Sequence, residues 1–482
     1  MTHLKYLLSF SLLLLTSVTL VAQNASDALR YSWFDPTGTA RHLGAGSALG
    51  ALGSDFSVMS TNPAGIAWIR KTQLTFSPGL SISNADAVLT NDPAQPLSED
   101  TRIRLNIPNA GVVACMSSQS METFNFGVGI TRIADFTDRI SYDGSSPGSI
   151  VQRYSELANT FGLEEPEAAA ANATEILIED NGIFFTDYTG FEGIPLRRSE
   201  EINRRGGIAE ITFGFAGNVE NRVLWGFVVG SPQLNFSEER TYRETDETGT
   251  VPGFETLEIR ENLVASGTGL NAKFGLIVRA SQAVRVGAAI HTPTFFQIDE
   301  DFSTTREYDY NFNGQAFFGQ SMEEGGFNYR IRTPWRLSGS AGVIIQRKGF
   351  LSAEVEYVNY ASNQFQYEGF SEAERIVNQE VSDSLSTSLR LRLGGEFAHQ
   401  NYRFRAGYGT QNSPITSNDD RVQDFSLGVG LQKDSYSIDL GYRRSQVTRR
   451  LVPYVTSTEP LQLAEADVAR NTLILTFGVR LR

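Results

Sequence analysis

Apolar and polar residues alternate strictly along much of this chain. Over 424–433 the apolar set is Phe425, Leu427, Val429 and Leu431, against Ser426, Gly428, Gly430 and Gln432. Over 436–443, Tyr436, Ile438, Leu440 and Tyr442 oppose Ser437, Asp439, Gly441 and Arg443. At the end of the chain Leu473, Leu475, Phe477, Val479 and Leu481 share one face, and Thr472, Thr476, Gly478 and Arg480 the other. Leu389, Leu391 and Leu393 interleave with Arg390, Arg392 and Gly394. A period of two means strands with one apolar and one polar face. Pro and turn residues divide the chain into about fourteen such strands. They fall near 71–83, 101–117, 121–142, 205–218, 222–241, 255–280, 283–309, 324–346, 349–368, 381–398, 401–412, 421–434, 435–450 and 469–482.

The connections sort by length. Six are tight, at 118–120, 218–221, 280–283, 346–349, 398–401 and 433–435. Seven are long and polar, centred on 84–100, 143–204, 242–254, 310–323, 369–380, 413–420 and 451–468. Short and long alternate without a break. A water-soluble sandwich has no reason for this, whereas membrane barrels join strands by short periplasmic turns and long extracellular loops. The expected fold is therefore all-β, a transmembrane antiparallel β-barrel of about fourteen strands, with both ends on the short-turn side. Closure also leaves no exposed sheet edge. Trp335, Tyr357, Tyr360, Tyr402 and Tyr408 fall near strand ends, where interfacial aromatic girdles would sit.

Composition fits this picture. Of the 482 residues 40% are hydrophobic, and mean hydropathy is −0.22. A barrel shows lipid only every second residue, so its bulk hydropathy is diluted. The net charge of −14 argues against a nucleic-acid partner, which selects a basic surface. The single cysteine, Cys115, lies in an apolar stretch and reads as a small buried hydrophobe. Residues 1–22 read as a signal peptide: Lys5, an apolar core around Leu12–Leu15, then Ala22 before polar Gln23 and Asn24.

Residues 23–70 do not alternate. They are rich in Gly and small residues, with Gly44, Gly46, Gly50 and Gly53 close together, and they end in Asn62-Pro63-Ala64-Gly65. Small side chains permit close packing of backbone against a barrel wall, so 23–70 is expected to fold back into the lumen as a plug, with 71–482 as the barrel. The run from Gly38 through Gly53, then Asp55-Phe56-Ser57 and Asn62-Pro63-Ala64-Gly65, resembles the hatch of the FadL/TodX outer-membrane transporters. His291-Thr292-Pro293 and Thr333-Pro334-Trp335 extend the resemblance. It implies a fourteen-stranded barrel in the outer membrane of a Gram-negative bacterium, facing lipid and lipopolysaccharide. It also implies a channel for hydrophobic small molecules such as long-chain fatty acids or aromatic hydrocarbons. In that reading Asn62, Pro63, Ala64 and Gly65 gate the passage and the third strand is kinked, with Gly127, Gly129, Ala134 and Asp135 as kink sites. The chain departs from many outer-membrane barrels in ending on Arg482 rather than an aromatic residue.

The longest loop, 143–204, is the candidate for ligand capture. Ile150, Val151, Tyr154, Leu157 and Phe161 follow helical spacing, with Gly162 as a stop, and a second helix is expected from Pro166 to Leu177. These faces either frame a greasy groove, with Ile150, Tyr154, Leu157 and Phe161 as its lining, or pack on each other. Catalysis is not expected: His42, His291 and His399 have no evident Ser or carboxylate partnership. No metal or other cofactor is implied. The other reading is a barrel of the same build that docks secreted proteins rather than conducting solutes. The protein is expected to act as a monomer, with Arg and Lys of the strands lining a wet lumen.

Overall fold

The computed structural model describes residues 24–481 apart from 36, 93, 120–121, 347 and 458–460. The expected signal peptide and part of the first tight turn lie outside the described residues.

Fourteen antiparallel strands run in chain order and close on themselves. They are β1 Gln73–Leu89, β2 Ser98–Gln119, β3 in two pieces, Glu122–Asp135 and Asp138–Pro147, β4 Pro195–Val219, β5 Val223–Thr245 and β6 Phe254–Arg279. Next come β7, Val284–His291 and Phe295–Phe312, and β8, Gln315–Arg332 and Arg336–Ile344. Then follow β9 Gly349–Asn359, β10 Thr387–His399, β11 Tyr402–Asn412, β12 Arg421–Gln432, β13 Tyr436–Leu451 and β14 Ala464–Arg480. The last strand pairs with the first from Gln73↔Arg480 to Leu89↔Ala464, so the wall has no free end.

Alternation decides which face each residue takes. Outward side chains form a continuous exposed apolar belt that includes Phe213, Leu276, Leu391, Leu427, Leu440 and Phe477. A belt of this extent on a closed barrel is a lipid-facing surface. Inward positions are polar or small over much of the wall, but large apolar side chains such as Leu234, Phe236, Phe296 and Ile298 also point in. Of the expected girdle, Trp335, Tyr357 and Tyr402 are exposed and Tyr408 is half-buried. Tyr360 is not part of it: it points inward, buried, and stacks on Trp33 with ring centroids 5.7 Å apart. Cys115 is half-buried rather than fully enclosed.

The wall is uneven in height. Spanning needs about 9–11 residues per strand, yet β4, β5 and β6 have 25, 23 and 26 residues. The excess rises on the long-loop side, where outward positions become charged, as at Arg197 and Arg205. The segment 310–323 is not a loop. β7 and β8 continue through it as a ladder to Phe312↔Gln315, closed by Asn313-Gly314 with φ of 54° and 79°. Those left-handed angles suit a two-residue hairpin turn and the Asn-Gly pair that makes it. Residues 369–380 are not a plain polar loop either, since most of them lie in a helix, Ser371–Ser384, whose Ala373, Val377 and Val381 are buried along one face. In the longest loop, helices occupy Ile150–Phe161 and Pro166–Ala173. The second stops short of Leu177, with Thr174 as its C-cap.

Candidate functional site

Residues 24–70 fill the lumen. Helix α1, Ala25–Ser32, is closed at its start by a capping box between Asn24 and Asp27. Helix α2, Ala40–Gly44, follows, and then two 3-10 turns, Phe56–Ser60 and Pro63–Trp68. The plug sits in the wall with almost no side-chain spacer. Inward glycines of the strands meet its backbone: Gly428 opposes Gly44, Gly407 opposes Gly46, Gly394 opposes the Ala45 carbonyl, and Gly226 opposes Pro63. A Cβ on Gly441 would lie 2.6 Å from the Ala40 carbonyl oxygen, inside van der Waals contact. Gly127 and Gly129 belong to this seam. Their missing side chains make room for Met59 and the Phe56 ring of the plug.

Asn62 is buried at the centre of the contact. Its Nδ2 donates to the Gly50 carbonyl at 2.8 Å and to the Leu276 carbonyl of β6 at 3.3 Å, and its Oδ1 accepts from the Ala64 N–H at 3.2 Å. Pro63 starts the second 3-10 turn, where its missing N–H costs nothing. Gly65 packs on Gly53, and its carbonyl accepts from the Ser54 N–H at 2.9 Å. The four residues thus tie two turns of the plug together and to β6.

Several lumen arginines hold the plug rather than lining open water. Arg443 reaches the Asp35 carboxylate at 2.6 and 3.1 Å, and Arg390 reaches it at 3.2 Å. Arg392 donates to the Ser47 carbonyl at 3.2 Å and Arg336 to the Ser32 carbonyl at 2.6 Å. Their alternation along β8, β10 and β13 was visible in sequence, but their partner was not, because it comes from the far end of the chain. His42 of α2 is fully buried and neither ring nitrogen bonds to protein. Burial holds its imidazole down at about 4, against the opposing pull of Asp55.

The wall is interrupted at β3. Its ladder with β2 runs from Gln119↔Glu122 to Asn109↔Thr131 and stops there. Pro108, next along β2, has no N–H to give, and Pro78 marks a register shift against it on β1. The strand breaks at Phe136-Thr137, immediately after Ala134 and Asp135, and not at Gly127 or Gly129, which stay in the regular ladder. Beyond the break the upper piece of β3 turns inward, packing Ile140 and Tyr142 on Ala85, Ala87, Leu89 and Ala466. The plug reaches this edge: the Asp35 and Thr37 N–H groups donate to the Ile133 and Arg132 carbonyls at 2.6 and 3.3 Å. The two prolines were the available sequence signal for this site.

Inside the break lies an apolar cluster. Tyr31 of α1, Ile133, Ala134, Phe236, Phe296 and Tyr329 meet there, with Phe136 edge-on to Phe236 at 5.5 Å. The helix Ser371–Ser384 covers the cluster from the loop side through Val377 and Val381. Higher still, the 150–161 helix packs on the tall wall. Ile150 and Tyr154 are buried with Tyr242, Leu257 and Tyr308, and Leu157 is partly buried beside them. Phe161 differs from these, being 65% exposed. At the opposite, short-turn end the plug leaves a vestibule of about 520 Å³ lined by charged groups, among them Arg41, Lys71, Glu396 and Asp434.

No protein-family model and no curated protein matches the chain in sequence. Solved structures do match in fold. A Pseudomonas aeruginosa FadL homologue superposes with a TM-score of 0.56 at 12% identity, covering 94% of this chain and all of that one. The Pseudomonas putida toluene transporter TodX gives 0.53 at 11% identity, covering 93% and 100%. The Ralstonia pickettii toluene transporter TbuX gives 0.50 at 13% identity, covering 92% and 98%. Strand number, closure, lumenal plug and lipid-facing belt agree with that likeness, and the chain has the fold of the FadL and TodX channels, a plugged fourteen-stranded barrel of the Gram-negative outer membrane.

Proposed function

We propose that this barrel takes up hydrophobic small molecules, of the class of long-chain fatty acids or aromatic hydrocarbons, and releases them sideways into the membrane at the break in β3. The break carries the reading: the wall loses its main-chain ladder where an apolar lumen cluster meets the lipid-facing belt. A greasy solute gains nothing by continuing downward, because the plug and then a charged vestibule stand between it and the short-turn end. The fold likeness to two toluene transporters supports the same direction. In this scheme the outer mouth captures the solute, with Phe161 exposed for that role. The Asn62–Gly65 turn sets how firmly the plug blocks the lumen.

The test is uptake by the purified barrel in liposomes, using a fluorescent long-chain fatty acid with a small sugar as control and protein-free liposomes alongside. Protein-dependent uptake of the fatty acid without sugar leakage is the expected result. Sugar leakage would mean an open pore, and movement of neither solute above background would remove transport of this class.

A further inference from the structure

We infer that the seam between β2 and the upper piece of β3 is a gate with its own bolt, made only of side chains, in which Arg104 and Asp100 are the moving parts. The inference rests on the transport reading above and adds what opens and closes the exit.

From Ser98 to Asn106, β2 keeps its ladder with β1, but among the described residues it has no main-chain ladder with β3 above Asn109. Side chains take over that edge. Arg104 crosses the seam, its Nη1 donating to the Thr137 hydroxyl at 2.5 Å and to the Gly206 carbonyl of β4 at 2.6 Å, with the Asp135 carboxylate at 3.4 Å. Higher up, Asp100 accepts from the Ser141 hydroxyl at 2.6 Å and pairs with Arg139 at 3.3 Å. Both clasps join the two sides of the opening and neither belongs to the ladder of the closed wall.

The distinction is physical. A ladder bond at bilayer depth has no alternative partner once broken, so wall strands do not part. The clasp side chains are largely covered, Arg104 being 28% and Asp100 and Asp135 each 10% exposed, but side-chain groups that border a polar lumen can take water as a partner, so these clasps can release while β1–β2 and β3–β4 pairing stays intact. The bolt is also chemically foreign to its surroundings. Outside it lie Leu105, 81% exposed, with Ile103 and Ile107; inside it lie Phe136 and Phe236. A charged clasp between two apolar surfaces keeps lipid chains out of the lumen at rest; when it swings aside, Arg132 and Arg470 stay tied to the Gly206, Asp135 and Thr137 carbonyls at the rim of the opening.

The experiment is a reversible lock. Asp100→Cys and Ser141→Cys are introduced together in a Cys115→Ser background of the full-length protein. Uptake of a fluorescent long-chain fatty acid is followed in Gram-negative cells lacking their own uptake barrel. The disulfide is expected to form, to bring uptake down to that of cells without the barrel, and to release it on reduction. If the oxidised and reduced proteins carry the probe equally, the gate is refuted while transport stands. If the parent and the reduced protein both fail to carry it, the transport reading falls and the gate with it. If no disulfide forms, Asp100 and Ser141 are not neighbours and the bolt is refuted. A second variant, Arg104→Gln, is expected to raise the uptake rate several-fold with unchanged barrel mobility on unboiled gels. An unchanged rate would remove Arg104 from the gate.

Discussion

Replacing Asn62 by Ala tests how the plug is seated. The substitution removes the donor to the Gly50 carbonyl and the acceptor for the Ala64 N–H, both in a buried contact. The 3.3 Å bond to Leu276 also goes, but that carbonyl lies in the β6 ladder. Leaving two buried backbone groups unpaired costs about 1–3 kcal/mol each, and partial relaxation brings the sum to about 2–4 kcal/mol. At 1.4 kcal/mol per tenfold, the unseated population should rise by about 30- to 700-fold. The barrel itself keeps its ladders, so gel mobility of the unboiled protein should not change. Amide exchange across 48–66 should accelerate by the same factor if opening is local, and proteoliposomes should begin to leak a small sugar. Unchanged exchange over 48–66 in a folded barrel would refute the argument that Asn62 joins the two turns to the wall. Faster exchange without any change in fatty-acid or sugar movement would keep the structural role and remove the gate.

Other outcomes follow from the same geometry. Gly394→Val places a side chain against the Ala45 carbonyl; overpacking of this kind costs about 1–3 kcal/mol, and protease should then cleave 24–70 in a barrel that still migrates as folded. His42 is neutral when buried, with its value lowered from 6.5 to about 4, so the released plug binds more protons between those limits. Seating is therefore full above pH 6.5 and weakens as pH falls toward 4, which protease sensitivity should follow, and His42→Leu should flatten that dependence. Tyr154→Ala empties a buried site at a cost of about 3 kcal/mol or more and should loosen 148–194 in amide exchange. Phe161→Ser changes an exposed residue and should leave exchange unaltered; a fall in uptake with this variant would place Phe161 in capture, and normal uptake would exclude it.

The barrel was legible because each strand states its own facing. Period two, turn residues and the sorting of connections are local properties, and they survive without knowledge of partners. The Ile150–Phe161 helix was legible for the same reason, with its apolar spacing and Gly162 stop. What escaped was whatever depends on distant pairing. The ladder through 310–323 breaks the strict alternation, with Phe317 and Phe318 adjacent, and only the Asn313-Gly314 pair marks it as a hairpin. The Ser371–Ser384 helix carries Ala373, Val377 and Val381 at helical spacing, but they sit among so many charges that the stretch reads as a loop. Gly127 and Gly129 read from sequence as kink sites in the third strand; their contacts with Met59 and Phe56 of the plug depend on a distant part of the chain. The break needed Pro78 and Pro108 to be read together across two strands.

The glycine seam also sets an order of events in assembly. With Cβ atoms excluded at Gly226, Gly394, Gly407, Gly428 and Gly441, plug and wall meet backbone to backbone at five strands, and a folded plug entering after β1 has met β14 would have to slide past all of these contacts. The plug precedes β1 in the chain, so it is present before any strand pairs. Its turns are then the mandrel around which the wall is wound, and the circumference at that level is fixed by backbone meeting backbone. A barrel wound without it would close around a waist whose inward positions at these five glycines carry no side chains, leaving the bore wide there.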